Sequence, residues 1–168
     1  MIHIRLLDAT DANRYHALRL RGLTTNPEAF GSTYEREVGF TLDFVEQRLK
    51  PSEDKFTLGA IDSEGVLVGI ATFVRESSTK IRHKGNVFGV YTTPEMRGQG
   101  VGRSLLLALI ERARDCEGLE QINIAVITDN APARKLYQSL GFISYGTEHH
   151  SLKYEGQYWD EDYMALKL

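Results

Sequence analysis

The segment Thr92-Thr93-Pro94-Glu95-Met96-Arg97-Gly98-Gln99-Gly100-Val101-Gly102-Arg103 constrains this chain more than any other. It follows an apolar and β-branched run, Val87 to Thr92, and precedes the apolar run Leu105 to Ile110. That order reads as strand, glycine turn, helix. Glycine lets the main chain approach a bound group without side-chain collision. The first N–H groups of a helix have no internal acceptor and carry a positive partial charge. The pattern therefore predicts an anion site suited to phosphate or pyrophosphate, with Arg97 and Arg103 adding full charges. Two familiar phosphate loops do not fit. The dinucleotide fingerprint starts at Gly98 and Gly100 but meets Arg103 where its third glycine belongs. Started at Gly100 and Gly102, it meets Leu105. No Gly-Lys followed by Ser or Thr occurs. A glycine turn without a ligand remains the plainer alternative at this point.

The rest of the chain sets limits. Its 168 residues suit one domain, 1–168, with 42% hydrophobic and 26% charged residues, an ordinary globular balance. A net charge of −3 provides no basic field for nucleic acid. The single cysteine, Cys116, cannot form an internal disulfide. Leu105 to Ile110 is far short of the roughly 20 residues of a membrane span. Met1 to Asp8 lacks the layout of a secretion signal. The expectation is a cytoplasmic protein with no nucleic-acid or membrane partner.

The pattern along the chain is mixed α/β. Ile2 to Leu7 reads as a strand, followed by a helix capped by Thr10 or Asp11 and running to about Leu23. Asn26-Pro27 ends it, and an aromatic-rich connection spans 27–40. A short helix starts at Thr41 with Phe44, Val45 and Leu49 facing inward. Strands follow at Phe56 to Ile61, Val66 to Val74 and Val87 to Thr92, then the helix after the glycine turn and a strand at Gln121 to Ile127. Asp129 or Asn130 caps a further helix with Pro132 in its first turn, and Gly141 closes it. Phe142 to Ser151 and Tyr158 to Leu168 form a final strand pair.

Arg97-x-x-Gly100-x-Gly102 resembles the acyl-CoA pyrophosphate loop of the GNAT N-acetyltransferase superfamily, and Thr92-x-Pro94 resembles its lead-in. Asn130-x-x-Ala133-x-x-Leu136-Tyr137-x-x-x-Gly141-Phe142 is similar to that family's second signature. The resemblance covers Phe56 to Phe142, and Pro27-Glu28-Ala29-Phe30-Gly31-Ser32 also resembles a bacterial subgroup. It implies a single-domain α/β fold: a mixed, mostly antiparallel central sheet, helices on both faces, and a splayed strand pair that holds acyl-CoA. It implies an N-acetyltransferase that moves the acetyl group of acetyl-CoA to a primary amine by direct attack in a ternary complex. The acceptor is a small-molecule or protein amine, and a homodimer is possible through an exposed edge strand. A sensor of the same fold that binds acyl-CoA without turnover is the alternative. The donor contacts implied are Val90, Tyr91, Thr92, Arg97, Gly98, Gln99, Gly100, Val101, Gly102, Arg103, Asn130, Ala133 and Tyr137. The pantetheine arm pairs with main chain at Val90 and Thr92, and Gly89 eases a bulge.

Tyr137 is the implied acid for the departing thiolate. The base is less marked, because relatives carry a glutamate where this chain has Asn86 or Ala125. Glu35, His83 and a water chain are the candidates. His149 and His150 point to opposite faces of a regular strand and have no third ligand at metal-like spacing, so no metal is expected. The acidic, aromatic stretch Tyr154 to Tyr163 reads as a hairpin, or else as an acceptor wall that attracts a cationic amine.

Overall fold

The computed structural model describes residues 1–168. Seven strands form one sheet: β1 (His3–Leu6), β2 (Lys55–Ile61), β3 (Leu67–Arg75), β4 (Lys84–Thr92), β5 (Gln121–Ile127), β6 (Ile143–Tyr154) and β7 (Gln157–Lys167). Their order is β1-β2-β3-β4-β5-β7-β6, and every neighbouring pair is antiparallel except β4 with β5. The helices are α1 (Ala12–Thr25), α2 (Tyr34–Glu37), α3 (Leu42–Leu49), α4 (Val101–Arg114) and α5 (Ala131–Ser139). α4 buries Val101, Leu105, Leu106, Leu109, Ile110 and Ala113 against one sheet face, joined by Tyr137 of α5. Tyr15, Leu18 and Leu23 of α1, with Val45 and Leu49 of α3, cover the other face. The expected fold class is thus the observed one. No helix is long and apolar enough to cross a membrane.

Three local expectations are corrected. α1 is preceded by a 3-10 turn at Ala9–Asp11, and Asp8 caps that turn by accepting the Thr10 N–H at 2.9 Å. Asp11, fully buried, does not cap α1; it receives Arg5 Nη1 and Nη2 at 2.9 and 2.7 Å and Arg14 Nε at 2.7 Å. Phe44 does not face inward: it is 45% exposed, since Val45 and Leu49, four residues apart, already form the buried stripe of so short a helix. β6 is not a regular strand either. Its register breaks between Glu148 and Leu152, where His150 has φ +55°, and both His149 Nδ1 and the His150 N–H reach Asp160.

β4 shapes the site. It pairs with β5 only over Lys84–Val87 and Gln121–Ile124. On its other side Ile70 faces Tyr91 and Thr72 faces Phe88, so Gly89 and Val90 together oppose Ala71. This is a β-bulge, and Gly89 takes φ +58° there. Residues four apart share a face in a regular strand. Here Val87 joins the α4-side core, while Tyr91 joins the α1-side core. The bulge turns β4 over and bends its far end away from β5.

A buried ion pair fastens α1 to α2. Arg19 donates Nε and Nη2 to Glu37 at 2.8 and 2.6 Å, and Glu37 is fully buried. Burial alone would raise the Glu37 carboxyl, but hydrogen bonds from Arg19 and Ser32 and the charges of Arg19 and Arg48 prevail and bring it from 4.5 to about 2. The Arg5 hydrogen bond outweighs burial at Asp11 and brings it from 3.8 to about 2. Both values are lower in the folded state, so the unfolded chain takes up protons first as pH falls. The stabilisation is full above pH 4.5 and is lost as pH falls towards about 2. Urea unfolding midpoints are expected to drop through that window. Glu37→Gln, which leaves Arg19 buried without its counter-charge, is expected to cost about 3–5 kcal/mol at neutral pH and to flatten the acid dependence.

Candidate active site

Beyond Val87 the parting strands open a cleft of about 750 Å³. The glycine turn and the start of α4 close one end, and Asn130, Ala133, Leu136 and Tyr137 of the α5 region form a wall. Of the donor contacts expected from the sequence, all line this cleft except Gln99. Gln99 turns away and donates Nε2 to the Glu95 carbonyl at 3.1 Å.

The turn is held open by its own backbone. Gly98 and Gly100 have φ of +75° and +80°, which L side chains rarely adopt. Gly102 is helical and lines the cleft; a Cβ there would make ordinary contact with Leu136 Cδ2 at 3.4 Å, and a longer side chain would extend into the cleft. No main-chain N–H from Gly98 through Arg103 donates a hydrogen bond within the chain; the first to do so is Ser104, to the Gly100 carbonyl at 3.0 Å. Six successive free donors at the positive end of α4 suit a doubly charged phosphate group. Arg97 is fixed beside them by Nε on the Thr92 carbonyl at 3.1 Å and Nη2 on Asn26 Oδ1 at 2.6 Å. Arg103 is steadied by Ser139 Oγ at 2.8 Å. At Thr92, whose main chain is expected to pair with a ligand, the carbonyl accepts from Arg97.

Other expected residues divide their duties. Asn130 caps α5 through the Ala133 N–H at 3.2 Å. Tyr91 borders the cleft, but its ring is buried near Phe30 and its hydroxyl meets Thr25 Oγ1 at 2.9 Å. Tyr137 is 6% exposed, lines the cleft, and makes no hydrogen bond within the chain. Burial pushes its phenol up to about 12.

A second cavity of about 610 Å³ adjoins the first on the α1 face. Strand alternation builds its floor. Lys55 and Thr57, Thr72 and Val74, Asn86 and Phe88, Asn123 and Ala125, and Glu161 and Tyr163 share one face across five strands. Tyr15 and Arg19 of α1, Phe30, and Arg48 of α3 form the roof. Val87, Gly89, Ile124, Ala125, Glu28, Ala29 and Glu161 line both cavities, so the bulge of β4 marks where they meet.

The structure brings neither expected base to this junction. Glu35 sits on exposed α2 and receives the Tyr154 hydroxyl at 3.0 and 3.2 Å. His83 lies on an exposed turn at the closed end of β4, where its carbonyl accepts the Glu120 and Gln121 N–H groups. Two carboxylates reach the junction, Glu28 before Phe30 and Glu161 of β7. Glu161 is opposite Ile127 of β5, two residues along from the Tyr163–Ala125 pair. Glu161 thus supplies from β7 an acid that β5, with Ala125, lacks. Ser151 Oγ donates to it, Ser151 also reaches Glu148 at 2.9 Å, and the Tyr163 hydroxyl donates to Glu148. The alternation Trp159-x-Glu161-x-Tyr163 was the signal in the sequence. The neighbouring acids do not face the cleft: Asp160 holds the histidine bulge, and buried Asp162 pairs with Arg134 at 3.0 Å. The expected acidic wall is therefore one residue wide.

A profile of the acetyltransferase (GNAT) family matches residues 21–142. The chain is 35% identical over 131 residues to a mycothiol acetyltransferase of Paenarthrobacter aurescens, covering 75% of this chain and 39% of that protein. It is 33% identical over 108 residues to the L-amino acid N-acyltransferase MnaT of Escherichia coli, covering 64% of this chain and 62% of that protein. It thus spans less than two thirds of either relative. A GNAT-family acetyltransferase from Streptococcus pneumoniae superposes with a TM-score of 0.86 at 24% identity over the whole of both chains. A putative acetyltransferase from Salmonella typhimurium, solved with its cofactor acetyl-CoA, gives 0.80 at 24% identity over 99% of this chain and 93% of that one. With its parted strands, glycine turn and profile match, the chain belongs to the acetyltransferase (GNAT) family.

Proposed function

We propose that the chain is an acetyl-CoA-dependent N-acetyltransferase acting on a small-molecule amine, in a cytoplasmic setting that suits its unpaired Cys116. The observation that carries this reading is the row of free N–H groups from Gly98 to Arg103 opening onto the cleft between β4 and β5. These donors fit the pyrophosphate of acetyl-CoA, and the unpaired edge of β4 beyond Val87 fits its amide-bearing arm. The names of the amino-acid and mycothiol relatives support a small acceptor.

In this mechanism the acceptor amine sits in the second cavity and meets the thioester at the junction. Glu161 takes a proton from the ammonium form, directly or through a water, so that nitrogen can attack. The C–N bond forms, main-chain donors at Gly89 and Val90 face the acyl oxygen, the nitrogen sheds its extra proton to solvent, and the C–S bond then breaks. Tyr137 faces the departing sulfur. Burial keeps the phenol protonated, so Tyr137 can donate a hydrogen bond to the sulfur and pass it a proton as the thiolate leaves.

Three substitutions test the parts, read by release of free thiol from acetyl-CoA and by calorimetric CoA binding. Tyr137→Phe is expected to lower kcat about 10- to 100-fold, the range for losing one hydrogen bond to a charged group, while CoA affinity holds. An equal loss in both would make Tyr137 a packing residue. Glu161→Gln is expected to remove the rise of kcat/KM with pH on the acid limb; an unchanged profile would pass the base role to Glu28 or water. Gly102→Val is expected to weaken CoA binding at least tenfold by calorimetry, and unchanged binding would remove the turn from the site. CoA binding with no thiol release for any amine would favour a sensor.

A further inference from the structure

We infer that Arg19 receives the carboxylate of the acceptor, so that the substrate is an amino acid rather than a simple amine. This rests on the transferase reading above.

Arg19 is a buried cation with one donor nitrogen outside its ion pair. It is 8% exposed, and its Nε and Nη2 are both engaged by Glu37. Its guanidinium lies over the Phe30 ring, 5.0 Å from the ring centre. Nη1 is not engaged by Glu37; the Tyr15 side chain lies beside the guanidinium, and Nη1 lies 3.0 Å from where a Cβ on Gly89 would stand. That nitrogen is thus presented at the bulge where the two cavities meet. A side chain at 89 would occupy that space, so glycine there leaves room for a ligand group as well as permitting the φ of +58°.

The surrounding charge agrees. Beyond Arg19, whose charge is matched by buried Glu37, the second cavity carries Arg48 and Lys55 away from the junction. Lys55 has no ion-pair partner. Such an end favours an anionic group, and a guanidinium edge matches a carboxylate better than any neutral one. Arg19 borders the same bulge as the reacting centre, so the carboxylate it binds belongs close to the amine. Glu161 on the far side of the junction remains free to take the amine proton.

The test compares acceptors that differ only in that group. Wild-type protein is given acetyl-CoA with a pool of L-amino acids, the matching pool of carboxamides, and the matching decarboxylated amines. The expected result is a kcat/KM at least tenfold higher for the acids than for either neutral set. In the double variant Arg19→Gln, Glu37→Gln, which leaves no lone buried charge, the ratio should fall towards one, chiefly through KM. Arg19→Lys should restore part of it. Neutral amines used as well as the acids by wild type would overturn the inference, even if neither variant folds. So would variants that lose the same factor on all three pools, since that marks Arg19 as structural or as a donor to the acyl oxygen. Absence of release with every amine would remove the transferase reading itself, and the inference with it.

Discussion

Main-chain pairing between β4 and β5 stops at Val87 and Ile124, and the functional groups are placed around that stop. A parallel pair that continued would have closed the cleft between the two strands. The cause is local. Two residues of β4 oppose one of β3, Gly89 adopts φ +58°, and the strand bends as it turns over. One irregularity therefore exposes a strand edge, places the glycine turn across from α5, and puts Tyr91 into the opposite core from Val87. The continuously paired β2 and β3, with the buried face of α4, back this opening.

The second element of the design is electrostatic. Arg19 and Glu37 are buried together, an arrangement whose desolvation cost often cancels its attraction. Its value here is positional. It ties α1 to the short α2, stacks a guanidinium against Phe30, and presents that cation at the bulge. The cavity on this side is cationic away from the junction, and carboxylates reach it from Glu28 and Glu161 at the junction itself. This arrangement is the basis for the proposed orientation of an amino-acid acceptor, with its carboxylate towards α1 and its amine towards the cleft.

Features written in backbone demands were legible in the sequence. Gly98, Gly100 and Gly141 all take positive φ, and Thr41 and Asn130 cap the helices expected of them. The glycine turn could be read because few other residues tolerate that path. Features set by packing across the chain were not legible. Glu35 and Glu37 are two residues apart on one short helix, and only the docking of α1 decides which of them is buried. Glu161 becomes a site residue through the register of β7 against β5, which joins segments far apart in sequence. Asp8, Thr10 and Asp11 all suit a helix cap; the Arg5 and Arg14 contacts claim Asp11 and leave the cap to Asp8. His83 precedes the right strand, but at its closed end.

The central claim is that the free N–H groups of the glycine turn hold the acyl donor by its pyrophosphate. The most direct measurement is titration of ¹⁵N-labelled protein with CoA, followed by amide resonances. The expected result is saturable shifts concentrated at Gly98, Gln99, Gly100, Val101, Gly102 and Arg103, with smaller shifts at Val90 and Tyr137 and none at His83. CoA binding that leaves the six turn amides unmoved while shifting resonances elsewhere would contradict it.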